Sequence, residues 1–271
     1  MKKEILKNKQ FILFSILALL VFGIALWAPV IATKDPYYAI MTDSLLPPSK
    51  EYILGTDVLG RDIFSRIIYG IRPSLIMTFS LVSVVFIVGT ILGVLGGYFG
   101  GIIDTTIMRF ADMMMSFPGL ILAIAVAGIL GPSMINAVLA ISLVSWPKYA
   151  RLARSLVLKI KQSRYIEAAI VGGAKPIKII FKYLIPNIIP TMIVTATTDI
   201  GTLMLELASL SFLGFGAQAP TPEWGLMLNE GRTYISKAPW LIYSPGIAIV
   251  SVVVIFNMLG DSIRDLMDTK Q

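Results

Sequence analysis

Long apolar runs dominate this sequence and leave few folds open to it. Six such runs can be counted, and they lie at about 11–30, 74–98, 113–131, 134–150, 188–211 and 241–260. A run of about 20 apolar residues can cross a bilayer as a helix, and in hydrocarbon a lone segment must satisfy its own backbone groups. Only 14% of the residues are charged, whereas a soluble domain carries about a quarter. The pattern predicts an all-α integral membrane protein with six transmembrane helices.

The first apolar run follows a basic segment, residues 1–10, and so has the outline of a signal peptide. The run is about 20 residues long, which is enough to span, and no small-residue cleavage site follows it. We therefore expect a retained first helix. The expected organisation is a cytoplasmic N-terminus, 1–10, followed by a single transmembrane domain, 11–271.

The positive charges predict the orientation of the helices. With the N-terminus inside, sixteen of the 23 Lys and Arg residues fall in inner segments, which agrees with the positive-inside rule. Both termini and residues 164–186 are then cytoplasmic. Because the basic residues gather in a few loops, the net charge of +7 does not indicate a nucleic-acid partner. The chain has neither Cys nor His, which excludes a disulfide framework and thiolate or imidazole metal ligands.

A basic, amphipathic stretch lies between the fourth and fifth spans at residues 164–186, which we name the coupling segment. Glu167 opens a helical turn, Gly172-Gly173 breaks it, and Lys175-Pro176 starts a second short helix. Lysines alternate there with isoleucines and Phe181, so we expect a helical hairpin at the membrane surface with an apolar face to offer. Two interpretations remain open, a basic helix resting on anionic lipid headgroups and a docking face for a protein.

Two acids, Asp199 and Glu206, fall inside the fifth predicted span. A carboxylate at membrane depth costs about 2.5–3.5 kcal/mol, so each requires a reason. The seven-residue spacing is two helical turns and places both acids on one face. Either they line a translocation path that favours a cationic or amine-bearing solute, or they bond a neighbouring helix or subunit during assembly. The sequence leaves both roles open.

No catalytic set is visible in the sequence. There is no Gly-x-x-x-x-Gly-Lys-Ser/Thr run to hold ATP phosphates, and no nucleophile–base pair can be assembled without His or Cys. The cluster Met113–Met115 is interpreted as flexible packing and not as a metal relay. We therefore predict a non-enzymatic protein that binds no cofactor or metal of its own.

Two groups of residues resemble one family. The coupling segment, with Glu167-Ala168-Ala169, Gly173 and Ile185-Pro186, resembles the docking loop of ATP-binding-cassette (ABC) importer permeases, from which Tyr183 and Ile185 depart. A second group resembles the second permease subunit of dipeptide, oligopeptide and nickel importers. Its residues are Gly55-Thr56-Asp57, Gly60-Arg61-Asp62, Tyr69-Gly70, Arg72 and Ser74. The resemblance implies a type I ABC importer fold with a cytoplasmic coupling helix, in a bacterial inner membrane.

The resemblance also implies roles for individual residues. The residues expected to contact the ATPase are Glu167, Ala168, Ala169, Gly173, Lys175, Pro176 and Pro186. Contact with an extracytoplasmic solute-binding protein falls to Pro222, Glu223, Trp224 and Arg232, in a last outer loop that could equally be a packed plug over the outer mouth.

The implied partners are a homologous second permease, two ATPases that hold ATP and Mg²⁺, a solute-binding protein and membrane lipid. Asp199, within Thr198-Asp199-Ile200-Gly201, and the region from Gly131 to Trp146 resemble the nickel branch. Nickel or a metal chelate is therefore the first expectation for the substrate, and a di- or oligopeptide is the alternative. A membrane-embedded enzyme or a self-sufficient channel is disfavoured, because neither a catalytic set nor a ring of selective charges is visible.

Overall fold

The computed structural model describes residues 8–268, and every regular element in that range is helical. The α-helices are α1 (Lys9–Leu26), α2 (Ala28–Ile31), α3 (Ile63–Phe99), α4 (Gly101–Met115), α5 (Gly119–Leu130), α6 (Met134–Lys161), α7 (Arg164–Val171), α8 (Pro176–Ile179), α9 (Ile185–Phe212), α10 (Trp224–Gly231) and α11 (Trp240–Asp268). A π-helical turn, Ile180–Leu184, joins α8 to α9. Most of the predicted cytoplasmic N-terminus, 1–10, lies outside the described residues.

The number of spans differs from the predicted six. Within the described residues, four helical stretches are long and apolar enough to cross a membrane, and they are Lys9–Ile31, Ile63–Phe99, Pro176–Phe212 and Trp240–Met267. A fifth is obtained if α4 and α5, which meet at 94°, count as one broken span.

The difference arises in the predicted third and fourth spans. Helix α5 has 12 residues and is about 18 Å long, shorter than the hydrocarbon core of about 30 Å. Helix α6 has 28 residues, but Lys148, Arg151 and Arg154 make its second half polar.

Helix α3 is longer than its predicted span. The predicted second span begins at about residue 74, but the chain is helical without interruption from Ile63 to Phe99, over 37 residues. Asp62 caps this helix, since its Oδ2 accepts hydrogen bonds from the Ser65 amide at 2.9 Å and the Ser65 hydroxyl at 2.6 Å. At 1.5 Å per residue α3 is about 55 Å long. It therefore connects the two ends of the bundle.

A row of glycines lets α3 and α6 pack closely. Gly89, Gly93 and Gly97 are spaced by four residues and so share one face of α3. A β-carbon at Gly89 would lie 2.4 Å from the Tyr149 Cβ, and one at Gly93 would lie 2.3 Å from the Ala150 carbonyl oxygen. Small residues at this spacing are the usual means of close helix contact in membranes. The backbones of α3 and α6 therefore pack in close contact along this face.

The other end of α3 is covered by a polar layer, residues 41–62 together with α10, which we name the cap layer. Two arginines and two acids join its parts. The Arg61 Nε lies 2.6 Å from the Asp57 Oδ2, and the Arg61 and Arg66 Nη2 atoms lie 3.1 and 2.9 Å from the Glu230 Oε2. Arg66 is completely buried. The four charges sum to zero, so this network can be buried without a net charge.

Candidate functional site

The coupling segment folds as a helix, a glycine turn and a second short helix, as the sequence predicts. Glu167 lies in the first turn of α7, where the negative charge of its carboxylate interacts favourably with the helix dipole. Gly173 has φ of +78°, a conformation that side-chain-bearing residues rarely adopt. Pro176 occupies the first position of α8, where its missing N–H costs nothing.

The coupling segment has two faces of opposite character. Its inner face is anchored in the core by Ile166, Ile179 and Leu184, each at most 1% exposed. Its outer face leaves large apolar side chains uncovered, with Val171 exposed by 89% and Ile177 by 72%. Of the predicted contact residues, Ala169 is half-buried, and the exposed ones are Glu167, Ala168, Gly173, Lys175, Pro176 and Pro186. Six of the seven predicted contact residues are thus accessible in the structure.

Ion pairs join the neighbouring helices at the same end of the bundle. Arg154 of α6 makes a bidentate pair with Asp104 of α4, with both N–O distances at 2.5 Å. Arg151, one turn earlier, pairs with Asp112. Planar two-point pairing fixes orientation as well as distance. Helix α4 is therefore held to α6, which runs directly into the coupling segment.

The predicted intramembrane acids line one cavity. A space of about 320 Å³ between α5, α6 and α9 has Asp199, Glu206, Thr202, Ser145 and Lys148 among the residues of its wall. Such a volume lies within the range usual for small-molecule sites, about 300–1,000 Å³. The sequence argument that Asp199 and Glu206 share a helix face agrees with their common position in this wall.

The partner of Asp199 was not predicted from the sequence. The Lys148 Nζ lies 2.7 Å from both Asp199 carboxylate oxygens. Lys148 was counted only as one of the inner positive charges. The signal was present, because a buried acid in a membrane requires a counter-charge and Lys148 lies within the fourth predicted apolar run.

In the last predicted outer loop, the structure differs from the prediction that three residues are accessible to a partner. Pro222, Glu223 and Trp224 were expected to contact a solute-binding protein, but all three are buried inside the chain. Glu223 caps α10, accepting hydrogen bonds from the Gly225 and Leu226 amides at 2.9 and 2.8 Å. Burial raises the pKa of the Glu223 carboxyl, although these hydrogen bonds oppose the shift. Of the four predicted residues, Arg232 is exposed.

Trp224 shows why this loop must fold inward. Its indole N–H donates to the Ile67 carbonyl at 3.0 Å. The ring lies against Gly70, where a β-carbon would approach the Trp224 Nε1 to 2.9 Å and the Pro222 carbonyl oxygen to 2.2 Å. These residues therefore attach α10 to α3, and the packed-loop interpretation fits them.

Comparison with known proteins identifies the family. The family model described as binding-protein-dependent transport system inner membrane component matches residues 89–271. The chain belongs to this family of ABC importer permeases. A dipeptide transport system permease, DppC of Alkalihalophilus pseudofirmus, is 45% identical over 99% of this chain and 88% of its own length. A nickel transport system permease, NikC of Escherichia coli K12, is 40% identical over 95% of this chain and 91% of its own length.

Solved structures show the same fold for this ABC importer permease. The inward-facing MetNI methionine ABC transporter matches with a TM-score of 0.60 and 22% identity, over 75% of this chain and 97% of that one. The all-α, type I importer architecture is thereby confirmed. The chain is a non-catalytic, multi-pass subunit of the inner membrane. Such permeases assemble in general with a partner permease, ATPases and a binding protein.

Proposed function

We propose that this permease forms half of the pore of a di- or oligopeptide importer. Similarity supports this choice over nickel, the first expectation from sequence. The dipeptide permeases of Alkalihalophilus pseudofirmus and Haemophilus influenzae are 45% and 43% identical to this chain, while the nickel permease of Escherichia coli K12 is 40% identical. The cavity with both acids and a lysine also suits a solute that bears an amine and a carboxylate.

The uncovered outer face of the coupling segment carries the proposal for energy input. Large apolar side chains that stay exposed mark an interaction surface and would be costly to leave in water. Because the inner face is anchored in the core, a displacement of this segment moves the ends of α6 and α9 with it. We infer that two ATPases, which hold ATP and Mg²⁺, seat on the coupling segments of the two permeases and switch the side to which the pore opens.

This scheme includes an orientation and a second partner. The positive charges place both termini and the coupling segment in the cytoplasm. The cap layer, at the other end of α3, then faces outward. We propose that its exposed rim, including Arg232, receives the solute-binding protein.

The substrate can be tested with the complete transporter in proteoliposomes. The assay measures ATP-dependent uptake of radiolabelled dialanine and of ⁶³Ni²⁺, with the matching binding protein in excess. Peptide uptake without nickel uptake is expected. Nickel uptake without peptide uptake would refute the peptide proposal and restore the original expectation.

The docking role can be tested with Glu167→Lys. Glu167 is exposed, so the change should leave folding intact while reversing a charge on the proposed contact. Uptake and transport-linked ATP hydrolysis should both fall by at least an order of magnitude, as for a disrupted charged contact worth roughly 1.5–3 kcal/mol. Glu51→Lys makes the same substitution at an exposed residue outside the coupling segment, and its ATP hydrolysis measured without the binding protein should match wild type. Equal uptake by Glu167→Lys and wild type would contradict the docking role.

A further inference from the structure

The Lys148–Asp199 ion pair stands between two cavities. The first is the space of about 320 Å³ between α5, α6 and α9. The second, of about 440 Å³, is bounded by α6, α9 and the end of α11. Lys148 and Asp199 belong to the walls of both. The pair is therefore common to the walls of two cavities.

The two partners of this pair are not equally buried. The Lys148 side chain is 60% exposed, whereas that of Asp199 is 13% exposed. When the pair opens, Lys148 can turn to water, but Asp199 remains as a charge in a poorly hydrated place. A buried unpaired carboxylate is costly. Opening is therefore favourable only if another cation replaces the lysine.

A further polar group of the first cavity lies beside the pair. The Tyr149 side chain is 1% exposed and lines this cavity, and its hydroxyl lies next to the Asp199 carboxylate. Gly89 packs directly on the Tyr149 Cβ and fixes the base of the side chain. Lys148 already bonds both Asp199 oxygens, so the Tyr149 hydroxyl is placed to donate to a ligand atom that binds beside Asp199.

We propose that this cavity binds a zwitterionic solute through both of its charged ends. The ammonium displaces Lys148 from Asp199 and is shared with Glu206, while the released Lys148 pairs with the carboxylate of the solute. The Tyr149 hydroxyl bonds a polar atom between them. The wall holds two negative charges and one positive. With the zwitterion bound, its ammonium faces both acids and Lys148 faces its carboxylate, so each ionic group has an opposite charge beside it and the site keeps one net negative charge. The inference rests on the proposed function, since it names the recognition of a peptide's termini inside the permease.

Binding to the assembled complex tests the proposal without the binding protein. The sample is the purified complex of this chain with its partner permease and ATPases. Equilibrium dialysis measures the affinities of dialanine, of dialanine amide, which lacks the carboxylate, and of N-acetyl-dialanine, which lacks the ammonium. The variants are Lys148→Met and Asp199→Asn. The matched control is Lys159→Met, which removes an exposed lysine from the same helix outside both cavities.

The expected pattern is specific to the two ends of the peptide. Lys148→Met should bind dialanine about 10-fold more weakly or worse, as for a lost hydrogen bond between charged groups. It should bind dialanine amide as well as wild type or better, because Asp199 is already free. Asp199→Asn should weaken dialanine and its amide by a similar factor, and it should bind N-acetyl-dialanine as well as wild type or better, because Lys148 is already free. Lys159→Met should match wild type.

Other results would overturn the proposal. If Lys148→Met weakens dialanine and its amide equally, the pair only holds helices together. If the wild-type complex shows no dialanine binding while it transports dialanine with its binding protein, the intramembrane site is refuted and the proposed function stands. A complex that transports no dipeptide at all refutes the proposed function instead. Size-exclusion chromatography confirms that each variant complex is intact.

Discussion

Arg66 is the charged residue whose loss the structure predicts to be most damaging. It lies near the start of α3, is completely buried against the cap layer and donates to the Glu230 Oε2 at 2.9 Å, while its Nε lies 3.6 Å from the Asp57 Oδ2. Arg66→Met preserves much of the volume but removes the charge. Asp57 and Glu230 then share Arg61 alone, and the network keeps one uncompensated negative charge.

The magnitude follows from that remaining charge. Breaking a buried ion pair by removing one partner costs about 3–5 kcal/mol, which for a chain of this size lowers the melting temperature by about 6–20 °C. Arg66→Met combined with Glu230→Gln restores neutrality, and it should therefore recover a substantial part of the loss. Glu51→Gln is the comparison, because the exposed Lys34–Glu51 pair at 3.3 Å should be worth less than about 1 kcal/mol.

The assay is thermal unfolding of the purified complex, followed by tryptophan fluorescence, at one protein concentration and one scan rate. Trp224 and Trp240 report on the cap layer, since their indole N–H groups donate to carbonyls of Ile67 and Thr56. A melting temperature for Arg66→Met within 2 °C of wild type would refute the reasoning on buried charge. A double variant no more stable than Arg66→Met would refute the role assigned to neutrality.

Two further perturbations test the packing and the cap. Gly93→Ala should destabilise the protein by about 1–3 kcal/mol, because its β-carbon would meet the Ala150 carbonyl oxygen at 2.3 Å. Thermal unfolding measures this loss. The control is Gly246→Ala, which has open space around it and should be neutral. Glu223 has a raised pKa in the folded protein, whereas in the unfolded chain its carboxyl ionises at about pH 4.3. Between these two values the folded state holds a proton that the unfolded state has released. The free energy of unfolding should therefore fall as the pH rises through this window. Glu223→Gln should remove that fall from a pH series of melting temperatures, and identical pH profiles for the two proteins would contradict it.

Periodicity and spacing were sufficient to predict features that depend on a single helix. The seven-residue separation of Asp199 and Glu206 predicts a shared face, and both do line one cavity. The break at Gly172-Gly173 and the start at Pro176 are local turn chemistry and are found as predicted. Such features depend on neighbours along the chain, which the sequence displays directly.

Features that depend on distant segments were not predicted. Nothing near Glu223 or Trp224 indicates that they pack on α3, about 150 residues earlier in the chain. The glycine row on α3 was overlooked because four-residue spacing becomes meaningful only when a partner helix is known. The count of six spans assumed that each apolar run crosses alone, whereas α5 is short and meets α4 at 94°. Lys148 was assigned to the cytoplasmic charges because its acidic partner lies 51 residues away.

The central claim is that the outer face of the coupling segment seats an ATPase, and crosslinking tests it most directly. The chain has no cysteine, so a single Val171→Cys carries one benzophenone maleimide at a side chain that is 89% exposed. Ile129→Cys, at a side chain 86% exposed near the end of α5, is the matched control. Upon illumination of the complete transporter in membranes, residue 171 should capture the ATPase subunit and residue 129 should not. Efficient labelling at residue 171 that yields only lipid adducts, with no ATPase captured, would contradict the account.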